Sequence, residues 1–90
     1  MELPRPIQVR YFERRQADIQ NCDHHLKESN FSEIIKVGHQ LKGNGAMFGY
    51  HELSNIGSRL EAAAKNQDQE KVKTILEEFK EWFDENHLLN

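Results

Sequence analysis

The sequence predicts an all-α protein, an antiparallel up-down four-helix bundle, and three observations carry that expectation. Apolar residues recur at three- and four-residue steps in four successive stretches, the repeat of one face of a helix. No stretch alternates apolar with polar residues, and no Asn-Gly or Asp-Gly pair joins two apolar runs as a hairpin would require. Both prolines lie at the start, Pro4 and Pro6, so nothing after Pro6 forbids helix. The connections between stretches are short, which favours antiparallel neighbours.

The first helix is expected from about Val9 to Lys27, with Phe12, Ile19, Cys22 and Leu26 on its apolar stripe and Ser29-Asn30 as the interruption. Asn30 followed by Glu33 resembles a capping box that opens the second helix. Its apolar positions are Ile34, Val37, Leu41 and Phe48, and Gly49 is the stop. The third helix carries Leu53, Ile56, Leu60 and Ala63-Ala64 and ends near Lys65-Asn66. Asp68 is the N-cap of the fourth, whose stripe is Val72, Ile75-Leu76, Phe79 and Trp82-Phe83.

Ninety residues make a single domain, 1–90 with a core over about 9–85, and leave no room for a nucleotide-binding domain beside a second one. Any phosphate chemistry would make the chain a carrier or target, with no kinase activity of its own. A net charge of -3 with dispersed basic residues argues against nucleic acid as a partner. No apolar run approaches membrane-spanning length, and the N-terminus lacks the apolar stretch of a signal peptide. The single Cys22 excludes an internal disulfide and a thiolate metal cluster. The chain therefore reads as soluble and cytoplasmic, a monomer without membrane association. Its lack of a linker-like tail favours a free protein over a segment of a hybrid kinase.

The second helix is the informative one. With His39 at zero and about 100° per residue, Ile34, Val37, Leu41 and Phe48 cluster at about 160° to 220°. His39 is therefore expected to face solvent. Gly43 lies at about 40° and Lys42 at about -60°, flanking it, and Ile35 and Ala46 share the outward face. An exposed, neutral imidazole is a nucleophile. Lys42 would set an ammonium beside a phosphoryl group on that ring, and Gly43 would leave room for another protein's active site. Set against this, a solvent-facing His beside a Lys is usually a solvated surface residue. Gly38 and Gly45, on the flank of the stripe, are explained by close helix packing. An apolar Ile35 and Ala46 around the His, and a glycine with no packing purpose at Gly43, favour the functional reading.

These residues carry a resemblance. His39-Gln40-Leu41-Lys42-Gly43-Asn44-Gly45-Ala46-Met47-Phe48-Gly49 resembles the signature of histidine-containing phosphotransfer (HPt) domains, His-x-Leu-Lys-Gly, small residues, then Gly. The likeness continues through Leu53 and Leu60-Glu61 and, with the flanking helices, covers about Val9 to Phe83. It implies a helical bundle that accepts a phosphoryl group on His39 and exchanges it with the aspartate of a response-regulator receiver domain, alone or within a hybrid histidine kinase. Lys42 would assist at the phosphate, Gly43 would keep the approach open, and Gly43, Ile35 and Ala46 would contact the receiver. The receiver would supply the Mg²⁺, so the chain would need no cofactor or metal of its own. Where the family usually has a small residue such as alanine before the histidine, this chain has Gly38, and Gly45 replaces serine or alanine. Both substitutions suggest a second helix somewhat loose around His39.

The rival from another class is a non-catalytic helical module that binds a receiver or histidine kinase through the same patch; the presence of the nucleophile ranks it second. A metal-binding bundle ranks third. His24 with Glu28 has helical ligand spacing, but inward carboxylates from several helices cannot be assembled around it, Glu61 alone lying near an apolar stripe. His51 lies beside a helix start and His87 in a frayed tail, neither with an evident partner. Trp82 and Phe83 read as core, the Glu77–Glu85 stretch as a solvated face, and Cys22 as a small buried hydrophobe.

Overall fold

The computed structural model describes residues 3–87 and holds four antiparallel helices: α1 (Arg5–Lys27), α2 (Phe31–Met47), α3 (His51–Lys65) and α4 (Gln69–His87). Each packs on its chain neighbour and α4 closes back on α1, so the order in space is the order in sequence. Among the described residues there is no strand, and no helix is long and apolar enough to cross a membrane. The ends of the expected 1–90 domain, residues 1–2 and 88–90, lie outside the described residues.

The expected apolar stripes form the core. Phe12, Ile19 and Cys22 from α1 meet Ile34 and Leu41 of α2, Leu53, Ile56 and Leu60 of α3, and the six expected positions of α4, all buried. Leu26, Val37 and Phe48, also expected on the stripes, are only half-buried against the core, Phe48 at the edge where α1 packs on α2. Phe48 meets the Tyr11 ring edge-on at 5.1 Å there, and between α1 and α4 Phe12 stacks on Trp82 at 5.7 Å. Arg15 is buried as well, because Asp18 takes its Nε at 2.8 Å and the Tyr11 ring lies 4.6 Å beneath its guanidinium.

Three three-residue turns, 28–30, 48–50 and 66–68, share one construction. The residue after each C-cap adopts a left-handed backbone, Ser29 at φ 54°, Gly49 at φ 83° and Gln67 at φ 53°. The next N–H then reaches back six residues inclusive: Asn30 to His25, Tyr50 to Gly45, Asp68 to Ala63, at 2.7 to 3.0 Å. This is the Schellman closure, and it satisfies carbonyls that the helix end leaves free. Gly49 is thus the expected stop, and Asp68 the expected N-cap, its carboxylate accepting from the Lys71 N–H at 3.1 Å.

Two local expectations are corrected. α1 begins at Arg5 rather than Val9, because Pro4 caps it through its carbonyl and Pro6 sits in the first turn, where a missing N–H costs nothing. The Asn30–Glu33 capping box does not form: Asn30 Oδ1 takes the Ser32 hydroxyl at 3.1 Å and Glu33 pairs with Lys36 at 3.2 Å. Asn30 closes α1 and opens α2 at once, and the first task fixes its backbone.

Candidate functional site

The tightest seam of the bundle lies between α2 and α3, and glycines make it. A Cβ at Gly38 would stand 2.7 Å from the Glu61 backbone N, one at Gly45 2.7 Å from the Ser54 N, and one at Gly57 2.5 Å from the Lys42 N. Only hydrogen fits at all three, so the two backbones touch. Ser54 adds a cross-link, donating its hydroxyl to the Lys42 carbonyl at 2.7 Å. Gly38 and Gly45 therefore hold α2 against α3, and the expected looseness around His39 is replaced by close packing.

That seam decides what His39 meets. His39 points outward as expected, its side chain 75% exposed. Because Gly38 brings the backbone of α3 alongside, the short Glu61 side chain reaches across to it. The Glu61 Oε2 lies 3.2 Å from His39 Nδ1, and the same oxygen lies 3.7 Å from Lys65 Nζ, one turn further along α3. Glu61 is only 15% exposed, so its carboxylate is held between helices rather than free to wander. With Nδ1–H donating to a carboxylate, the lone pair of the neutral ring belongs to Nε2, on the side away from Glu61.

The remaining site residues lie as follows. Lys42 is exposed, and its ammonium forms no ion pair among the described residues. Gly43 is exposed, and a Cβ there would meet nothing within 4 Å, in sharp contrast with the other three helical glycines. Ala46 is exposed. Ile35 is corrected: it is half-buried and packs against the core, since its position leans toward the α3 side of α2 rather than straight into solvent. Met47, next to Ala46 and 73% exposed, is the most exposed large apolar side chain among the described residues, and it was not among the expected site residues.

The other histidines stay apart from this cluster. His24 and His25 sit in the last turn of α1 with their rings 5.9 Å apart, and among the described residues the His24 side chain makes no pair with Glu28. His51 is an exposed first residue of α3. His87 lies in the last turn of α4, not in a frayed tail: its ring stacks on Phe83 at 4.4 Å, with Nδ1 2.7 Å from the Phe83 carbonyl oxygen. Among the described residues no three His, Cys, Asp or Glu side chains converge as metal ligands would. Cys22 is fully buried, and burial, with Asp18 and Asp23 adding to it, pushes its thiol up to about 12.

An exposed imidazole with one nitrogen engaged and the other free, beside a free ammonium and an unobstructed glycine, is suited to exchange a group with another macromolecule. Comparison with known families agrees: the Hpt domain model matches residues 9–86. The chain belongs to the Hpt family. Hpt domains carry out histidine phosphotransfer in two-component signalling and interact there with receiver domains or kinases. No curated protein and no solved structure is matched by the chain.

The role of Glu61 as the partner of His39 is not among the sequence expectations. The signal was present in Leu60-Glu61, quoted for the family likeness, and in Gly57, one turn before Glu61 on α3. A glycine on each helix facing the other marks a backbone contact, and such a contact brings the next polar side chain within reach.

Proposed function

We propose that this Hpt domain relays a phosphoryl group between His39 and the aspartate of a response-regulator receiver domain in a multistep phosphorelay. The observation that carries the reading is the Glu61–His39 pair, which engages Nδ1 and leaves Nε2 as the nucleophile on an exposed ring. In the forward step the Nε2 lone pair attacks the phosphorus of the receiver's aspartyl phosphate. The N–P bond forms as the P–O bond to the aspartate breaks, and that oxygen leaves as carboxylate. The ring keeps its Nδ1 proton and becomes cationic, and Glu61 offsets that charge where it develops. Lys42 offsets the charge of the phosphoryl oxygens.

Gly43, Ala46 and the exposed part of Ile35 form the surface over which the receiver closes, and the receiver brings the Mg²⁺. The domain then acts as a cytoplasmic monomer with no cofactor of its own. Positioning by the partner contributes more to the rate than activation within this chain, because the exchange is between two high-energy phosphoryl groups.

The test is labelling from a phosphorylated receiver. The wild-type chain should acquire acid-labile, alkali-stable phosphate, and His39→Gln should keep its helical circular dichroism while acquiring none. Label surviving in the His39 variant refutes the assignment.

A further inference from the structure

α2 carries His39 between two unlike neighbours. On one side α3 brings Glu61. On the other, between α2 and α1, runs an open groove of about 510 Å³, lined by Ile7, Arg10, Tyr11 and Arg14 of α1 and by Gln40 and Asn44 of α2. Tyr11 donates its hydroxyl to Asn44 Oδ1 at 2.6 Å and so fixes the register of the two helices beneath the groove. Antiparallel packing from that point sets Arg14 level with Gln40, the residue next to His39.

The charge of this groove opposes that of the protein. The chain has 15 acidic and 12 basic residues, yet no carboxylate lines the groove. Arg15 at its edge is committed to Asp18. Arg10 and Arg14, one turn apart on the same face, are both exposed, and neither makes a hydrogen bond or ion pair among the described residues; Arg14 acts only through its field at Asp18. Toward the C-terminal end of α2 the surface between His39 and the groove is low and apolar, with Lys36 and Gln40 bordering it. Gly43 and Met47 follow His39 at one and two turns, each rotated about 40° further toward α1. Gly43 adds no side chain, and Met47 is a flexible, polarisable one that adapts to the surface laid on it.

We infer that the receiver docks across this strip into the α1–α2 groove, with carboxylates on its facing rim paired to Arg10 and Arg14, and that these two arginines select among receivers. The inference rests on the reading that His39 exchanges phosphate with a receiver. Two unpaired guanidiniums at the rim of an apolar surface raise the association rate of an acidic partner and repel a basic one. The partner is therefore a receiver that presents acidic residues beside its phosphorylation site.

The experiment compares the wild-type chain with R10E/R14E and R10K/R14K, using two phosphodonors. One is phosphoramidate, which needs no docking. The other is the purified receiver domain of the host that labels the wild-type chain fastest, charged on its aspartate with acetyl phosphate. With the receiver at about 50 mM ionic strength, R10E/R14E should lose about tenfold in kcat/KM, the loss shrinking to about twofold at about 0.5 M, where exposed charges are screened. R10K/R14K should retain most of the rate, and all three chains should take phosphate from phosphoramidate alike. Receiver transfer unchanged in R10E/R14E overturns the docking groove while the role of His39 stands. A loss equal at both ionic strengths overturns the charge pairing. Failure of the wild-type chain to be labelled at His39 by either donor overturns the phosphorelay reading, and this inference with it.

Discussion

Two glycines five residues apart on one helix should respond to the same substitution with opposite signs. In the interior of a helix, alanine is favoured over glycine by about 0.8 to 1.0 kcal/mol, since the glycine backbone loses more freedom on folding. At Gly43 the new methyl meets nothing within 4 Å, so Gly43→Ala should collect that whole gain. For a domain of this size 1 kcal/mol moves the melting temperature by roughly 4 to 8 °C, an effect well outside experimental error. At Gly38 the same methyl would stand 2.7 Å from the Glu61 backbone N and 2.9 Å from the Gly57 carbonyl oxygen. Backbone atoms of a packed helix cannot rotate away as a side chain can, so α2 and α3 must separate. Overpacking of that kind costs about 1 to 3 kcal/mol, which exceeds the propensity gain. Gly38→Ala should therefore lower stability and weaken the His39–Glu61 pair, whose span depends on that contact. Urea unfolding followed by circular dichroism measures both, a shift of the midpoint at unchanged slope being the signature of stability alone. A destabilised Gly43→Ala, or a stabilised Gly38→Ala, would refute the division of these glycines into one that is free and one that is packed. The expected result also has a functional corollary: a helix that keeps glycine at an open position forgoes about 1 kcal/mol. Room for a partner at His39 is a reason to do so.

Other outcomes follow from the same geometry. Cys22 is fully buried and its thiol is pushed up to about 12, so a thiol-specific reagent at neutral pH should label it only at the rate of unfolding, and fully in denaturant. Arg59 donates two hydrogen bonds of 2.9 Å to Glu78 and holds that carboxyl below its ordinary value, joining α3 to α4. The folded value lies below the unfolded one, so the stabilisation is complete above the unfolded carboxylate range and is lost as pH falls through the folded value. Both partners are about 40% exposed, so the pair contributes under about 1 kcal/mol; the stability gap between wild type and Glu78→Gln should be of that size at pH 7 and close on acidification or in high salt. Gln67 holds a left-handed backbone at φ 53°, so Gln67→Gly should raise the unfolding midpoint by an increment worth about 0.5 to 1 kcal/mol.

How far the fold was legible in the sequence follows from what each signal depends on. The stripes of α3 and α4 were read residue by residue, because a long apolar face against a core repeats the same physics at every turn. The turns at Gly49 and Asp68 were legible for the same reason: each rests on one residue type meeting one local demand. The start of α1 lies four residues before the expected one because a proline in a first turn has no hydrogen bond to lose. The Asn30 capping box failed because one residue served two helices, and a local rule cannot tell which of the two prevails. The outward direction of His39 and the openness of Gly43 were legible, since a helical wheel needs only the stripe it opposes.

Glu61 was not, and the reason is general to sites built across a helix seam. A wheel reports which way a residue faces, not how far away the next helix lies, and that distance decides whether a carboxylate 22 residues along the chain can reach an imidazole. Here the distance is set by Gly38, Gly45 and Gly57, each of which would put a Cβ into backbone if it had one. Read singly, the glycines of α2 suggested a weakened helix; paired with Gly57 of α3, they are the contact that builds the site. The local disadvantage of glycine in α2 and the placement of Glu61 beside His39 are thus one feature. A change that strengthened the helix at Gly38 would move the carboxylate away from the ring it orients.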